Sequence, residues 1–355
     1  MIPTHPIRAV VPCRACLSGE DLDWLGGGGR SVGVALALTT TVEAGPGPAP
    51  DTQVPDGWSW EVWAFLRERL PGLAPRPPVV TVSSEAPAAS GLSSSTARIV
   101  ALFRAFTDPS FTGRRVGDDT IARWAYEFEF AVFHGGGMDH LAVVEGGALL
   151  IEGRERGLPA VRERLEFPDE WRVVVVDSGT RKDTGHHIRD VRAQLAAGDP
   201  ALAAYRAVAD EASGQVWEAL HGRDLAGLGT AMARAHEAMR DHQRMSTPFL
   251  EELRALALRA AGLPLKLSGA GGGGALVGVC RADAVEETAD RLTRALNASH
   301  PQARVLPTRV APGARRAAVP AGGDRTAPAE RTVGPASSAG AVGLVRGGEQ
   351  QPALP

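Results

Sequence analysis

Two glycine-rich segments of this 355-residue chain have the composition of anion cradles, and two acidic groups have the composition of acid–base or cation sites. In Pro87-Ala88-Ala89-Ser90-Gly91-Leu92-Ser93-Ser94-Ser95-Thr96-Ala97 a Gly/Ser-rich loop runs straight into a stretch of helical periodicity. Free backbone N–H groups and the positive end of a helix dipole would converge there on a phosphate. The hydroxyls of Ser93, Ser94, Ser95 and Thr96 add donors, and one of them suits Mg2+, a hard cation that prefers oxygen ligands. The Walker pattern GxxxxGK[ST] is absent, and a Ser-capped helix behind a flexible loop has the same composition. The second segment runs from Lys266 to Gly274 and formally contains GxGxxG at Gly269, Gly271 and Gly274. It fails as a dinucleotide fingerprint, because Ala275 to Cys280 continues as a strand where a helix should open. It reads either as a loop that lets backbone approach a ligand closely or as a plain glycine hairpin, with Lys266 contacting nucleotide or merely flanking it.

The acidic groups are Glu20, Asp21 and Asp23, near Arg14, and Glu127, which precedes Asp139 by twelve residues. Asp139 follows Gly135-Gly136-Gly137, where a carboxylate can reach a substrate hydroxyl as a base or simply close a turn. Cys13-x-x-Cys16 lies inside the Arg14 segment, and Cys280 alone cannot complete a four-ligand metal site. His186-His187 reads as surface, and Asp177-Ser178-Gly179-Thr180 as a turn or as cleft lining.

These groups must be positioned by a mixed set of elements. Strands are expected at 8–15, 31–42, 79–83, 173–176 and 275–280, with Gly26 to Gly29 turning between the first two. Helices are expected at 58–70, from beyond Ser90 through Phe106, at 121–133, 187–197, 200–220, 227–240 and 248–261. Residues 317–355 are rich in Ala, Gly and Pro without any aromatic residue, a composition that cannot offset its ordering entropy and is expected to be disordered.

Lys+Arg 38 against Asp+Glu 41 gives a net charge of -3, so no bulk field draws the chain to nucleic acid or an anionic membrane. The three cysteines are too few for a disulfide framework. With neither a signal-peptide pattern nor a long apolar run, the expectation is a soluble, cytoplasmic protein acting on a small molecule.

Taken in order, the four segments resemble the GHMP kinase superfamily, the small-molecule kinases that include galactokinase, homoserine kinase and mevalonate kinase. Val11 to Trp24 is similar to the galactokinase signature PGRVNLIGEHTDY, without gaps from Pro12, with Pro12, Arg14, Leu17, Gly19, Glu20 and Asp23 matching. Gly91 to Ser95 resembles the family's phosphate-binding motif, Met138-Asp139 the galactokinase MDQ segment, and 266–274 the third motif. The resemblance spans residues 9 to about 316. It implies a two-lobed α+β fold with the active site in the cleft between an ATP-binding domain, 1–165, and a C-terminal domain, 166–316.

The resemblance also implies roles. Asp139 would take the proton of the acceptor hydroxyl, and Arg14 would hold that carboxylate ionised and offset phosphoryl charge. Gly91, Leu92, Ser93, Ser94 and Ser95 would hold the phosphates of ATP, with Gly269, Gly271 and Gly272 closing over them. Ser95 and Glu127 would bind Mg2+, and Glu20, Asp21, Asp23, Gly137 and Asp139 the acceptor. Asp21 stands where galactokinases have His, Trp24 where they have Tyr, Cys16 where they have Asn, and His140 where they have Gln. The sugar-contacting tyrosine also has no counterpart among His186, His187 and Ile188. The expected acceptor is therefore a sugar other than galactose, phosphorylated at its anomeric hydroxyl by a monomer or homodimer. A heptose phosphate, an amino acid or a mevalonate-like alcohol remain alternative acceptors, and a non-catalytic sugar sensor an alternative role.

Overall fold

A computed structural model describes residues 5–48, 57–133, 135–181 and 184–313. Its first sheet begins with two long antiparallel strands, β1 (Ile7–Ser18) and β2 (Arg30–Pro48), which pair from Ile7↔Ala44 to Ser18↔Val32. Shifts in register at Pro12/Cys13 and Cys16/Ser18 reaim the side chains around Arg14. The segment between these strands carries Glu20, Asp21 and Asp23. Helix α1 (Gly57–Arg69) and strand β3 (Pro78–Ser84) follow, then α2 (Ser94–Phe106), a single turn α3 (Pro109–Thr112), and α4 (Asp118–Phe133). The face of α2 expected from its spacing is inside: Ile99, Leu102, Phe103 and Phe106 are buried.

Helix α5 (Met138–Glu145) comes next, so Asp139 sits in the first turn of a helix rather than on a glycine turn. Strands β4 (Ala148–Glu152) and β5 (Ala160–Leu165) complete the sheet in the order β1-β2-β4-β5, with β3 on the free part of β2. Neither β4 nor β5 is among the expected strands.

The second sheet takes its strands from the rest of the chain. After β6 (Trp171–Asp177) come four helices, α6 (Thr184–Ala197), α7 (Pro200–His221), α8 (Leu225–Gln243) and α9 (Pro248–Ala261). Then follow β7 (Lys266–Leu267), β8 (Ala275–Arg281), α10 (Val285–Ser299) and β9 (Arg304–Thr308). The sheet order is β7-β8-β6-β9, all antiparallel. Asp199, Asp224 and Thr247 cap α7, α8 and α9 by accepting from backbone N–H groups of the first turn. The Val173–Val176 run is buried on both faces. Val173 and Val175 join the core shared with β1, β2 and α2, while Val174 and Val176 join the core beneath α9 and α10.

Residues through Ala317 form one compact unit. The last described residues return to the first sheet, where Leu36 bridges Val310 and Gly146 bridges Pro312. The expected tail, 317–355, lies outside the described residues. Among the described residues no helix is long and apolar enough to cross a membrane. Cys13 and Cys16 are both buried and free, in two different cores, so they form no thiol pair.

Candidate active site

The segments named from the sequence converge on one cavity of about 320 Å³. Its lining includes Arg14 from β1, Glu20, Asp21, Asp23 and Trp24 from the β1–β2 connection, and Ser90 to Thr96 except Leu92. Glu129, Gly135, Gly136, Met138, Asp139, His140, His187, Ile188, Gly269 and Ala270 complete most of the wall.

At its centre Arg14 grips Asp139 with two bonds, Nε to Oδ1 at 2.6 Å and Nη2 to Oδ2 at 2.8 Å. Ser93, the N-cap residue of α2 with a left-handed backbone, donates its hydroxyl to Asp139 Oδ2 at 2.5 Å. The third arm of Arg14, Nη1, donates to the Gly91 carbonyl at 2.6 Å, tying the phosphate-loop backbone to the same pair. Burial by itself would raise the Asp139 carboxyl, but the charge and hydrogen bonds of Arg14 and Ser93 outweigh it and hold the group below the usual carboxylate range. Asp139 is therefore ionised and aimed by fixed donors.

Asp23 behaves in the opposite way. Its Oδ2 accepts the Met138 N–H at 2.9 Å, and Gly136 packs so closely that a Cβ there would overlap the carboxylate. Burial pushes its carboxyl up to about 7, with the nearby Asp139 and Asp21 charges adding to the rise. Between about pH 4 and pH 7 the folded protein holds a proton that the unfolded chain has lost, so Asp23 makes the fold less stable as pH rises through that window. Asp23→Asn is expected to remove that slope, on the order of 4 kcal/mol across the window. Urea unfolding midpoints of both proteins from pH 5 to pH 8 would show it, and parallel pH profiles would refute it.

Glu20 reaches the cavity from a buried pair. Its Oε1 takes the Lys266 ammonium at 2.5 Å and the Gly269 N–H at 3.3 Å, while the buried Oε2 has no hydrogen-bond partner among the described residues. Lys266 is fully buried and also donates to the Leu267 and Cys16 carbonyls. It is thus a strut between the second sheet and the β1–β2 connection, rather than a nucleotide contact or a mere flank.

Five of the expected site residues lie off the cavity lining. Glu127 faces away from the cavity toward Arg69 at 3.4 Å, and the acidic residue of α4 on the lining is Glu129. Two residues span about 200° on a helix, which puts these carboxylates on opposite faces. Leu92 is a core residue whose carbonyl accepts the Arg14 N–H. Gly137 is off the lining, pressed toward Leu158, Pro159 and Tyr126, and its neighbours Gly135 and Gly136 take its place. Gly271 and Gly272 also lie off the lining. Gly271 packs on the Met245 carbonyl, which accepts the Gly272 N–H, and only Gly269 and Ala270 of that loop face the cavity. Gly274 has φ +88° and leaves no room for a Cβ beside the Ser90 carbonyl, so the two glycine-rich segments touch through backbone.

Asp21 is on the lining with both oxygens engaged, Oδ1 by the Trp24 indole at 3.1 Å and Oδ2 by His187 at 2.7 Å. His187 thereby belongs to the cavity wall, whereas His186 is exposed beside Asp190. The 177–180 turn braces the glycine loop, with Ser178 N–H donating to the Gly274 carbonyl and Gly274 N–H to that of Thr180. Glu129 went unassigned in the sequence, where Thr96 reads only as a phosphate or Mg2+ donor, His187 as surface and His140 as a departure from the galactokinase Gln. The adjacency of Thr96 to Ser95 and of His140 to Asp139 was the available signal for those two.

Sequence profiles described as GHMP kinases N terminal domain and GHMP kinases C terminal match residues 59–147 and 217–298. The chain belongs to the GHMP kinase family. It is 28% identical over 271 residues to a galactokinase of Mycobacterium bovis, covering 66% of this chain and 73% of the relative. The fold is shared with a Lactococcus lactis galactokinase complexed with galactose, TM-score 0.69 at 16% identity, covering 87% of this chain and 95% of that one. It is shared equally with L. major mevalonate kinase in complex with R-mevalonate, TM-score 0.70 at 22% identity, covering 88% and 99%. This GHMP kinase is galactokinase-like and is an ATP-dependent kinase.

Proposed function

We propose that this GHMP kinase transfers the γ-phosphoryl group of Mg·ATP to a hydroxyl, the anomeric one, of a neutral sugar other than galactose. The charge of the cavity carries the reading. Glu20, Asp21, Asp23 and Asp139 all line it, and among the described lining residues Arg14 is the sole Lys or Arg. Each of its three guanidinium nitrogens already donates once, to Asp139 or to Gly91. An acceptor carboxylate or phosphate would find no free guanidinium or ammonium there and would face Glu20. A polyol instead supplies O–H donors, which the carboxylates that line the cavity can accept in charge-assisted bonds.

The donor set fits Mg2+. Ser95, exposed at the start of α2, and Glu129 offer hard oxygens on the same cavity, and Mg2+ typically takes one or two protein oxygens together with phosphates and waters. When bound, the cation and ATP supply charge neutralisation and the group to be transferred. The protein's own part is positioning. Ser90 to Ser95 present backbone N–H groups and hydroxyls at the N-terminus of α2. Asp139 accepts the acceptor's proton as its oxygen bonds to phosphorus and the bond to ADP breaks, and Arg14 balances the charge that develops beside it. The three free, buried cysteines support a reducing, cytoplasmic setting.

The test is ADP release with Mg·ATP across free hexoses, pentoses, heptoses, uronic acids, sugar phosphates, hydroxylated amino acids and mevalonate. The expected result is turnover on a neutral sugar, at least about tenfold weaker on its uronic acid, one unmet charge being worth that much. Turnover confined to a carboxylate- or phosphate-bearing acceptor overturns the neutral-sugar assignment. Tight sugar binding without turnover overturns catalysis in favour of a sensor.

A further inference from the structure

Three helices bring a polar triad to the cavity wall. Glu129 of α4 accepts the Thr96 hydroxyl of α2 on Oε2 at 2.9 Å, and His140 of α5 brings its Nε2 to 2.9 Å from that same oxygen. Glu129 Oε1 has no partner among the described residues, and Glu129 lines the cavity. His140 is 2% exposed, set edge-on to Tyr126 with ring centroids 5.7 Å apart. Neither ring nitrogen has an aligned hydrogen bond among the described residues, the approach to Glu129 being close but off-axis. A buried imidazole without an aligned hydrogen bond calls for an explanation.

We propose that His140 and Thr96 are positioning residues for the cation. By committing Glu129 Oε2 they fix the rotamer of the carboxylate and leave Oε1 as the oxygen that ligates Mg2+ together with Ser95. A small turn of the carboxylate on binding the cation brings the Nε2–H of His140 into line, so the imidazole stabilises the loaded site more than the empty one. Partners behind a metal ligand act in this way, and their loss commonly weakens metal binding by about 10- to 100-fold. The inference rests on the Mg2+-dependent reading above, and its test separates the two.

Calorimetric titration with ADP, once with Mg2+ and once with EDTA, needs no acceptor and no turnover. The wild-type protein is expected to bind ADP more tightly with Mg2+. Glu129→Gln should abolish that gain, while Thr96→Val and His140→Leu should reduce it about tenfold. ADP affinity in EDTA should be unchanged in each. His140→Gln, whose amide can still donate, should restore most of the gain, and it keeps the test alive should the buried leucine prevent folding. Glu127→Gln should match the wild type. A gain lost in Glu129→Gln but intact in both Thr96→Val and His140→Leu overturns the positioning role alone. A gain lost in Glu127→Gln and kept in Glu129→Gln overturns the choice of ligand. Absence of any gain in the wild-type protein overturns the Mg2+ reading and this proposal with it.

Discussion

Asp139→Asn is expected to lower kcat by about 10^3 while leaving ADP affinity nearly unchanged, the loss typical of a missing general base. The substitution keeps shape and removes charge. An amide cannot take the acceptor's proton, and the Arg14 guanidinium, only 5% exposed, loses the anion that balances it. The same change bears on stability. Burial opposes ionisation of Asp139, yet Arg14 overrides it and the folded carboxyl lies below its usual value. The pair's contribution to stability is therefore present above about pH 4 and is lost as pH falls through the lowered value. The variant should lose that acid-limb dependence. Steady-state kinetics and calorimetry on one preparation decide the matter, and a kcat within tenfold of wild type would remove Asp139 as the base.

Lys266→Met should have the largest effect on folding. Lys266 and Glu20 are 0% and 4% exposed, with Nζ 2.5 Å from Oε1. Removing the ammonium strands a carboxylate in a dry interior, which typically costs about 3–5 kcal/mol, against a total stability of roughly 5–15 kcal/mol for a folded domain. The double variant Lys266→Met/Glu20→Gln should recover much of the loss, because the penalty comes from the uncompensated charge and not from the missing contact. Urea unfolding midpoints of the wild type, both single variants and the double variant measure this. Additive losses would show that the two residues are not coupled.

The Arg14–Asp139 pair shows where the sequence was legible. Arg14 and Asp139 stand out because each lies in a motif whose local pattern is distinctive, and the structure brings them together as expected. The glycine-rich loop before α2 was readable for the same reason, since a run of small residues ahead of an apolar 3.6-residue period has few other conformations. Helix α5 was not readable. It starts at Gly137 without a capping side chain and runs only eight residues, so no periodic signal precedes its end.

Glu127 and Glu129 mark a sharper limit. Both fit a carboxylate near Asp139, and a helix turns one toward the cavity and the other away. Which one faces in depends on how α4 docks, with Arg69 of α1 taking Glu127 and with Thr96 and His140 taking Glu129. Lys266 poses the same problem at longer range, since its partner lies 246 residues earlier in the chain.

Short-range patterning by itself determined the class of this protein: the turn residues, the helical periods and the four motifs are properties of neighbouring residues, and they specify elements and the backbone cradle for phosphate. The tertiary structure alone decided which of several carboxylates is ionised, neutral, paired or open. A carboxylate's state depends on desolvation and on charges within a few ångströms, and those neighbours come from β1, α2, α4, α5 and β7, brought together only when the two sheets pack around the cavity.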